Sequence, residues 1–321
     1  MRRRLTIAIP SKGRIMEGVY AFFADAGLPV EKAGGARDYV GHINALPDTD
    51  VLFMSSSEIA AALEAGNVHA GVTGADLMQE CAVDLDASIA LIKPLGIGRA
   101  DVIVAVPGAW LDVRTMVDLE EITHDFRERH HRPLRVATKY LTLTRRFFAA
   151  HGLSDYRIVE SSGATEGAPA AGTADIIVDI TSSGATLKAN NLKILEDGVI
   201  LKSEAHLAAS LNARWTKMAK AAWNTLLDRV AARGRAVGVT IIRFHIKNGF
   251  SALAKRLEKE CGCTVVQAPA PEGELQCPDE NLTTVIERLR AAGATALAAS
   301  RADYIYADGN PLMESFEKRL G

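Results

Sequence analysis

The spacing of apolar residues changes period repeatedly along the first two hundred positions. Residues 5–10 (LTIAIP) form an unbroken apolar run, which predicts a buried strand. Residues 15–26 follow with Val19, Phe22 and Phe23 on one helical face. The alternation continues with a strand at 50–54, a helix at 57–65 capped by Ser57, a strand at 69–73 running into Gly74, and a helix at 75–81. Buried strands alternating with helices predict a parallel sheet covered on both faces. A further strand is predicted at 101–107 (DVIVAVP). A second series then follows: strand 135–138, helix 142–151, strand 156–159, strand 174–180 and helix 185–190. This series predicts a second α/β lobe. The strand at 195–202 is read as the segment that can return the chain to the first lobe.

Residues 206–235 read as one long helix in which Trp215, Met218, Ala222 and Leu226 recur at helical spacing, a packing face closed by Gly234 and Gly238. Beyond it the pattern is strand 239–246, helix 250–261, strand 264–268, strand 273–278, helix 280–292 and strand 296–300. That βαββαβ order is the ferredoxin-like motif, a shape that hosts many functions.

Composition narrows the class of molecule. The 321 residues are 48% hydrophobic and 24% charged, which excludes a disordered or low-complexity chain and leaves material for about two domains. No window reaches the ~18 apolar residues of a membrane span. The basic residues 2–4 precede an apolar run too short for a secretory core, so the chain reads as cytoplasmic. A formal charge of −2 supplies no global field for nucleic acid, so any anionic ligand must be held by a local pocket. Cys261-Gly262-Cys263 is C-x-C with no histidine at finger spacing, and these residues with Cys277 read as reduced structural thiols rather than a metal site. Arg129-His130-His131-Arg132 reads as a solvated basic loop before Pro133.

The segment richest in chemistry is 166–187, EGAPAAGTADIIVDITSSGATL. Asp179 lies near the end of an apolar strand. The small, hydroxyl-rich turn Thr181-Ser182-Ser183-Gly184 follows, and Ala185-Thr186-Leu187-Lys188 opens a helix. A strand, a small-residue turn and a helix start can converge backbone N–H groups on an anion. Ser182, Ser183 and Thr186 add hydroxyl donors. A carboxylate beside such a cradle suits sugar hydroxyls or a bound cation, so phosphate with ribose is the natural ligand class. The alternative is that Asp179 merely caps the turn and Asp175 faces solvent. There is no GxxxxGK[ST] loop, and Gly96-Ile97-Gly98 lacks the third glycine of a dinucleotide fingerprint.

Glu166, Gly172, Ala174, Ile177, Asp179, Ser183, Gly184, Thr186 and Leu187 match E-x5-G-x-[small]-x2-[I/V]-x-D-x3-[S/T]-G-x-T-L. The segment thereby resembles the ATP phosphoribosyltransferase family of histidine biosynthesis. Ser11-Lys12-Gly13-Arg14, Gly71-Val72-Thr73-Gly74-Ala75-Asp76, Arg99 and Arg135-Val136-Ala137-Thr138-Lys139-Tyr140 extend the likeness over about residues 5–210. The resemblance implies an α/β fold with a bilobal catalytic part like type-II periplasmic binding proteins, and a C-terminal ferredoxin-like regulatory domain, the family's long form. The expected division is 1–98 and 193–212 for lobe I, 99–192 for lobe II, 213–235 for a linking helix and 236–321 for the regulatory domain.

The resemblance further implies transfer of the phosphoribosyl group of phosphoribosyl pyrophosphate (PRPP) to N1 of the adenine of ATP, with pyrophosphate released, Mg²⁺ as cofactor and histidine as inhibitor. It implies a dimer or hexamer of this chain. Glu166, Asp175, Asp179, Ser182, Ser183, Gly184, Ala185 and Thr186 would bind PRPP, with Glu166 either touching ligand or bracing the loop. Lys12, Arg14, Arg37 and Arg99 would meet ATP or pyrophosphate, and Arg14 and Asp179 would stand at the reaction. Thr138 and Tyr140 would line the cleft or pack. One departure is visible: the family places an arginine shortly before the helix near Ser57, and this chain has Phe53-Met54-Ser55-Ser56-Ser57-Glu58. That leaves its contact to Arg37 or Arg14. The other readings weighed are a non-enzymatic bilobal binding protein, a different phosphoribosyltransferase and a regulatory relative without catalysis.

Overall fold

The computed structural model describes residues 4–32, 34, 39–247, 250–267 and 271–321, with Arg14 and Gln267 described by backbone alone. Three sheets organise these residues. In lobe I, β1 (Leu5–Pro10), α1 (Gly13–Asp25), β2 (Val30–Lys32), β3 (Val40–Ile43), β4 (Thr49–Met54), α2 (Ser56–Glu64), β5 (Ala70–Gly74), α3 (Ala75–Cys81), α4 (Leu85–Ser88) and β6 (Ile89–Pro94) follow in sequence. The chain then enters lobe II with β7 (Ala100–Pro107), α5 (Met116–His130), β8 (Leu134–Thr138), α6 (Leu141–Ala150), β9 (Tyr156–Glu160), β10 (Ile176–Thr181), α7 (Ala185–Ala189) and β11 (Leu192–Ser203). It returns through β12 (Ala205–Ser210) and α8 (Lys217–Ala236).

The sheet of lobe I has the order β2-β3-β4-β1-β5-β12-β6, and that of lobe II the order β11-β7-β10-β8-β9. In each, parallel strands flank one central strand, β1 in lobe I and β8 in lobe II, and one antiparallel strand is inserted next to β5 or β10. The inserted strand is β12 in lobe I and β7 in lobe II; each is the first strand made after the chain crosses from the other lobe. Both lobes therefore share one topology, the bilobal arrangement of type-II periplasmic binding proteins. The two crossings lie side by side: Leu95 N–H donates to Ala205 O and Ala205 N–H to Ile97 O, both at 2.9 Å.

All six residues of β1 are buried, as a central parallel strand requires. Ile7, Ile9, Phe23, Trp223 and Phe316 share the core on one face of lobe I, and Ile59, Leu63 and Met78 that on the other. Lobe II has its own core around Val104, Val136, Tyr140, Phe148 and Val178.

The third unit contains β13 (Val239–His245), α9 (Phe250–Cys261), β14 (Thr264–Gln267), β15 (Glu272–Pro278), α10 (Leu282–Ala291) and β16 (Thr295–Arg301). Its sheet order, β14-β15-β13-β16, with antiparallel neighbours, is the ferredoxin-like topology. The chain ends in α11 (Pro311–Leu320).

Several expectations are corrected. The strand expected to return to lobe I is β11, which pairs antiparallel with β7 from Leu192 to Ser203, so lobe II extends to Ser203 and not to 192. The helix expected from 206 begins only at Lys217. Residues 205–210 are instead β12, a buried strand between β5 and β6. The buried stripe of α8 is Ala219, Trp223, Leu226 and Val230, whereas Met218 is 42% exposed, and the helix runs through Gly234 to Ala236. This helix packs on β1, so it is a layer of lobe I rather than a free linker. The cap of α2 is Ser55 and not Ser57. Its hydroxyl accepts from Glu58 N–H at 3.3 Å while Glu58 Oε2 accepts from Ser55 N–H at 2.8 Å, a capping box that only the residue three before Glu58 can make. The basic tetrad is only half loop: Arg129 and His130 end α5, whereas His131 caps it at φ +52° and Arg132 follows in the loop, engaged with Asp175; the first three are exposed. Finally, the ferredoxin-like unit closes at Arg301, and α11 packs back on lobe I through Phe316 and, in part, Leu312.

Candidate active site

The strand β10 carries Asp179 to the end of the lobe II sheet that faces lobe I. Its neighbours there are β7 and β8. The turn after it is held from within: Gly184 N–H donates to Thr181 Oγ1 at 2.9 Å, and Ala185 N–H to Ser183 Oγ at 3.4 Å. Gly184 adopts φ +70°, and a Cβ there would meet nothing within 4 Å. The position demands glycine for its backbone angle and leaves the peptide surface open to a ligand. Ser182, Ser183, Ala185 and Thr186 are exposed on this rim. The helix α7 that follows is only five residues long, so first-turn N–H groups, more than a macrodipole, define the polarity of the turn.

Across the gap stands the loop after β1. Ser11 N–H is anchored on Met54 O at 2.8 Å, and Lys12 and Gly13 (φ +85°) turn the chain into α1. A cavity of about 540 Å³ lies between the lobes, lined by Lys12, Gly13 and Ser56 from lobe I, Gly98, Arg99 and Ala100 from the crossing, and Ile180 and Ser182 from lobe II. Arg99 is 77% exposed, and its Nε lies 3.8 Å from Glu204 Oε2. Glu204 also accepts from Gly96 N–H at 2.7 Å and so ties the two crossings at the cavity floor. The structure thus brings Lys12, Arg99 and Ser182 together. The Arg14 side chain and the whole of Arg37 lie outside the described residues.

Asp179 is half-buried, and burial raises its pKa; the Ile180 N–H at 2.8 Å and the charge of Lys139 pull it back, and Glu166 pushes it up again. Glu166 sits on a short turn at Thr165–Gly167 packed on β10, close enough for its charge to be felt at Asp179. Lys139, whose charge is felt at this carboxylate, is a cation that the sequence reading left without a role. It lies within the matching stretch Arg135 to Tyr140, and its Nζ sits 4.9 Å from the centre of the Tyr140 ring.

Asp175 does not belong to this cluster. It precedes β10 at the far end from the turn, where Arg132 donates through Nη1 and Nη2 at 2.6 and 2.9 Å and Arg135 through its backbone N–H at 2.8 Å. Burial alone would raise its pKa, but these donors outweigh it and hold the carboxyl at about 2. The residue is a brace between β8 and β10 with no free acceptor for a ribose. The sequence motif gave no sign of this, because its arginine partners lie some forty positions away.

Tyr140 packs in the core of lobe II and is not a cleft-lining ring. Its hydroxyl donates to Asp76 Oδ2 at 2.7 Å, and Ser203 Oγ donates to Asp76 Oδ1 at 2.7 Å. Burial, then the Asp76 charge, keeps the phenol protonated. Glu80 accepts from the N–H groups of Thr142 and Leu143 at 2.8 and 2.9 Å, so α3 of lobe I caps α6 of lobe II. These polar contacts fix the spacing of the two lobes, and sequence periodicity has no means of revealing them.

Among the described residues no helix is long and apolar enough to cross a membrane, and no three side chains of metal-binding type converge.

The profile of a known family, HisG: ATP phosphoribosyltransferase, matches residues 55–232. A protein of Rhodopseudomonas palustris (strain BisA53) named ATP phosphoribosyltransferase is 49% identical over 323 aligned positions, covering 100% of this chain and 99% of its own. One of the same name from Bradyrhizobium diazoefficiens is 48% identical over 326 positions, covering 100% and 99%. Among solved structures, the ATP phosphoribosyl transferase (HisG:HisZ) complex from Thermotoga maritima aligns at a TM-score of 0.54 and 25% identity, covering 71% of this chain and 96% of that one. The uncovered share of this chain is about the size of the C-terminal unit expected of a long form. With near-complete coverage at almost half identity, the chain belongs to the ATP phosphoribosyltransferase family, the transferases that open histidine biosynthesis.

Proposed function

We propose that the cavity between the lobes joins PRPP and ATP, forming the bond from adenine N1 to the anomeric carbon of the ribose as the bond to pyrophosphate breaks. The observation that carries this reading is the cavity itself. It brings together the cations of lobe I and the crossing, Lys12 and Arg99, and the hydroxyl-bearing turn of lobe II around Ser182. Ser182, Ser183, Gly184, Ala185 and Thr186 hold the 5′-phosphate through backbone N–H and hydroxyl donors. Asp179 accepts from the ribose hydroxyls, and Glu166 tunes its charge. Lys12 and Arg99, with Arg14 and Arg37, meet the polyphosphates, and Arg14 stands with Asp179 at the reacting carbon.

The bond broken at the anomeric carbon leaves oxocarbenium character on the sugar, which a nearby carboxylate stabilises. Charge gathers on the departing pyrophosphate, where fixed cations are worth most. Adenine N1 is already nucleophilic, so the protein's main task is to hold it in line. Mg²⁺ would enter as a companion of the polyphosphate; among the described residues Asp179 and Glu166 are the carboxylates beside the turn that would hold it, and it would neutralise the leaving charge. The ferredoxin-like unit is read as the seat of feedback inhibition by histidine, the working form as a dimer or hexamer, and the compartment as the cytoplasm.

The test is turnover with ATP and PRPP, followed by pyrophosphate release with and without histidine. Asp179→Ala is expected to weaken PRPP binding far more than it changes the melting temperature. Gly184→Val is expected to abolish it by filling the open side of the turn. PRPP affinity that survives both changes would remove the turn from the mechanism.

A further inference from the structure

Three of the four cysteines stand together in the ferredoxin-like unit, far from the cavity in sequence and in fold. Cys261 ends α9, Cys263 lies one residue before β14, and Cys277 lies in β15. All are free thiols and all three are buried, with exposures of 3, 5 and 0%. The antiparallel register pairs Thr264 with Gln276 and Val265 with Leu275, so one step further places Cys263 directly opposite Cys277. Directly opposed residues on antiparallel strands have Cα atoms about 4.5–5.5 Å apart and side chains on the same face. That separation falls within the range a disulfide spans. Both side chains point into the core beneath α9 and α10. The Cys277 thiol donates to Pro278 O at 3.3 Å. Cys261 is turned to a different neighbour, accepting from Arg288 Nη1 at 3.6 Å.

We infer that Cys263 and Cys277 are a reversible disulfide pair that, when oxidised by hydrogen peroxide, staples the edge strand β14 to β15. The step balances as two thiols and one peroxide giving one disulfide and two waters. One thiolate attacks a peroxide oxygen and expels hydroxide, leaving a sulfenic acid. The second thiolate attacks that sulfur, and water leaves once its oxygen is protonated. Burial first, then the neighbouring sulfurs, pushes the Cys263 thiol up to about 12, so in the closed unit the reactive thiolate is scarce. Oxidation therefore proceeds through opening of the β14 edge, and anything that steadies this edge protects the pair. Nothing in this inference depends on the catalytic reading.

The experiment uses the full chain carrying Cys81→Ser, so that the exposed thiol does not cross-link molecules. After exposure to excess peroxide, free thiols are counted and linked peptides are mapped by cleavage at glutamate, which separates Cys263 from Cys277. The expected result is the loss of two thiols, their return with dithiothreitol, and a link between those two peptides. A further Cys261→Ser change is expected to keep the link, and Cys263→Ser to abolish it. A link that survives Cys263→Ser, thiols that all stay free after prolonged exposure, or conversion to sulfonic acid in place of a link would each overturn the inference. Should Cys263→Ser fail to fold, the mapped peptides of the Cys261→Ser chain decide alone.

Discussion

Asp179 and Asp175 stand four residues apart near the two ends of one strand and have opposite surroundings. Asp179 is raised by burial and by Glu166 and lowered by Lys139. A ligand that needs its carboxylate therefore loses affinity as pH falls through this raised value. Lys139→Met is expected to shift the acid limb of PRPP affinity to higher pH, and Glu166→Gln to lower pH, as measured by titration of binding against pH. Limbs that move together, or not at all, would take Asp179 out of the titration. Asp175, depressed to about 2, is the reverse case: its contribution to stability is present above the ordinary carboxylate pKa and is lost as pH falls through about 2. Asp175→Asn is expected to cost about 1.5–3 kcal/mol in a urea melt, the scale of hydrogen bonds to charged groups, with the KM for PRPP unchanged. A large rise in that KM would return Asp175 to the ligand site.

At the scale of elements, patterning found the strands made of large apolar residues throughout and the helices with one strong face, and failed where small residues or weak burial blur the period. The unbroken apolar runs of β1 and β7 were legible because central strands are apolar throughout. Residues 206–210, HLAAS, read as helix because alanine favours helices, yet the sheet of lobe I claims them within β12. The helix α5 buries only Met116, Leu119 and Thr123, too few for a clear stripe; its capping box at Thr115 and Asp118 was the available signal. Similarly Asn310-Pro311, a cap followed by proline, marks the start of α11. The turn of the site was legible as a local motif, but the contacts of Asp76, Glu80 and Asp175 join residues far apart in the chain, and no local pattern encodes them. The same helix α11 gives a sharp prediction. Phe316 is fully buried against Trp215 and Trp223, with ring centres 4.7 and 6.1 Å away. Phe316→Ala is expected to cost about 3–5 kcal/mol and to change tryptophan fluorescence. The loss should be felt in lobe I, as faster hydrogen exchange in β1 and α8 and not in β13–β16.

For the molecule as a whole, the contacts across the lobes set how the cavity is held. Glu80→Ala removes the cap that α3 lends to α6, for which a loss of about 1 kcal/mol is expected. Because the two capped N–H groups lie on lobe II and the carboxylate on lobe I, small-angle scattering should also report a wider mean separation of the lobes. An unchanged scattering profile would mean that Asp76 and the paired crossings suffice. The ferredoxin-like unit is attached at both ends to the same partner: it leaves lobe I through α8, and the chain comes back through Ile305, whose N–H donates to Ala232 O at 3.0 Å, and through Phe316. The molecule therefore resembles a pair of tongs with all its ballast on one handle. Lobe II carries no such ballast and is the jaw expected to shift if the cavity closes on a ligand: a dye pair spanning lobe I and the ferredoxin-like unit should keep its transfer efficiency when nucleotide is added, while a pair reaching to lobe II should not.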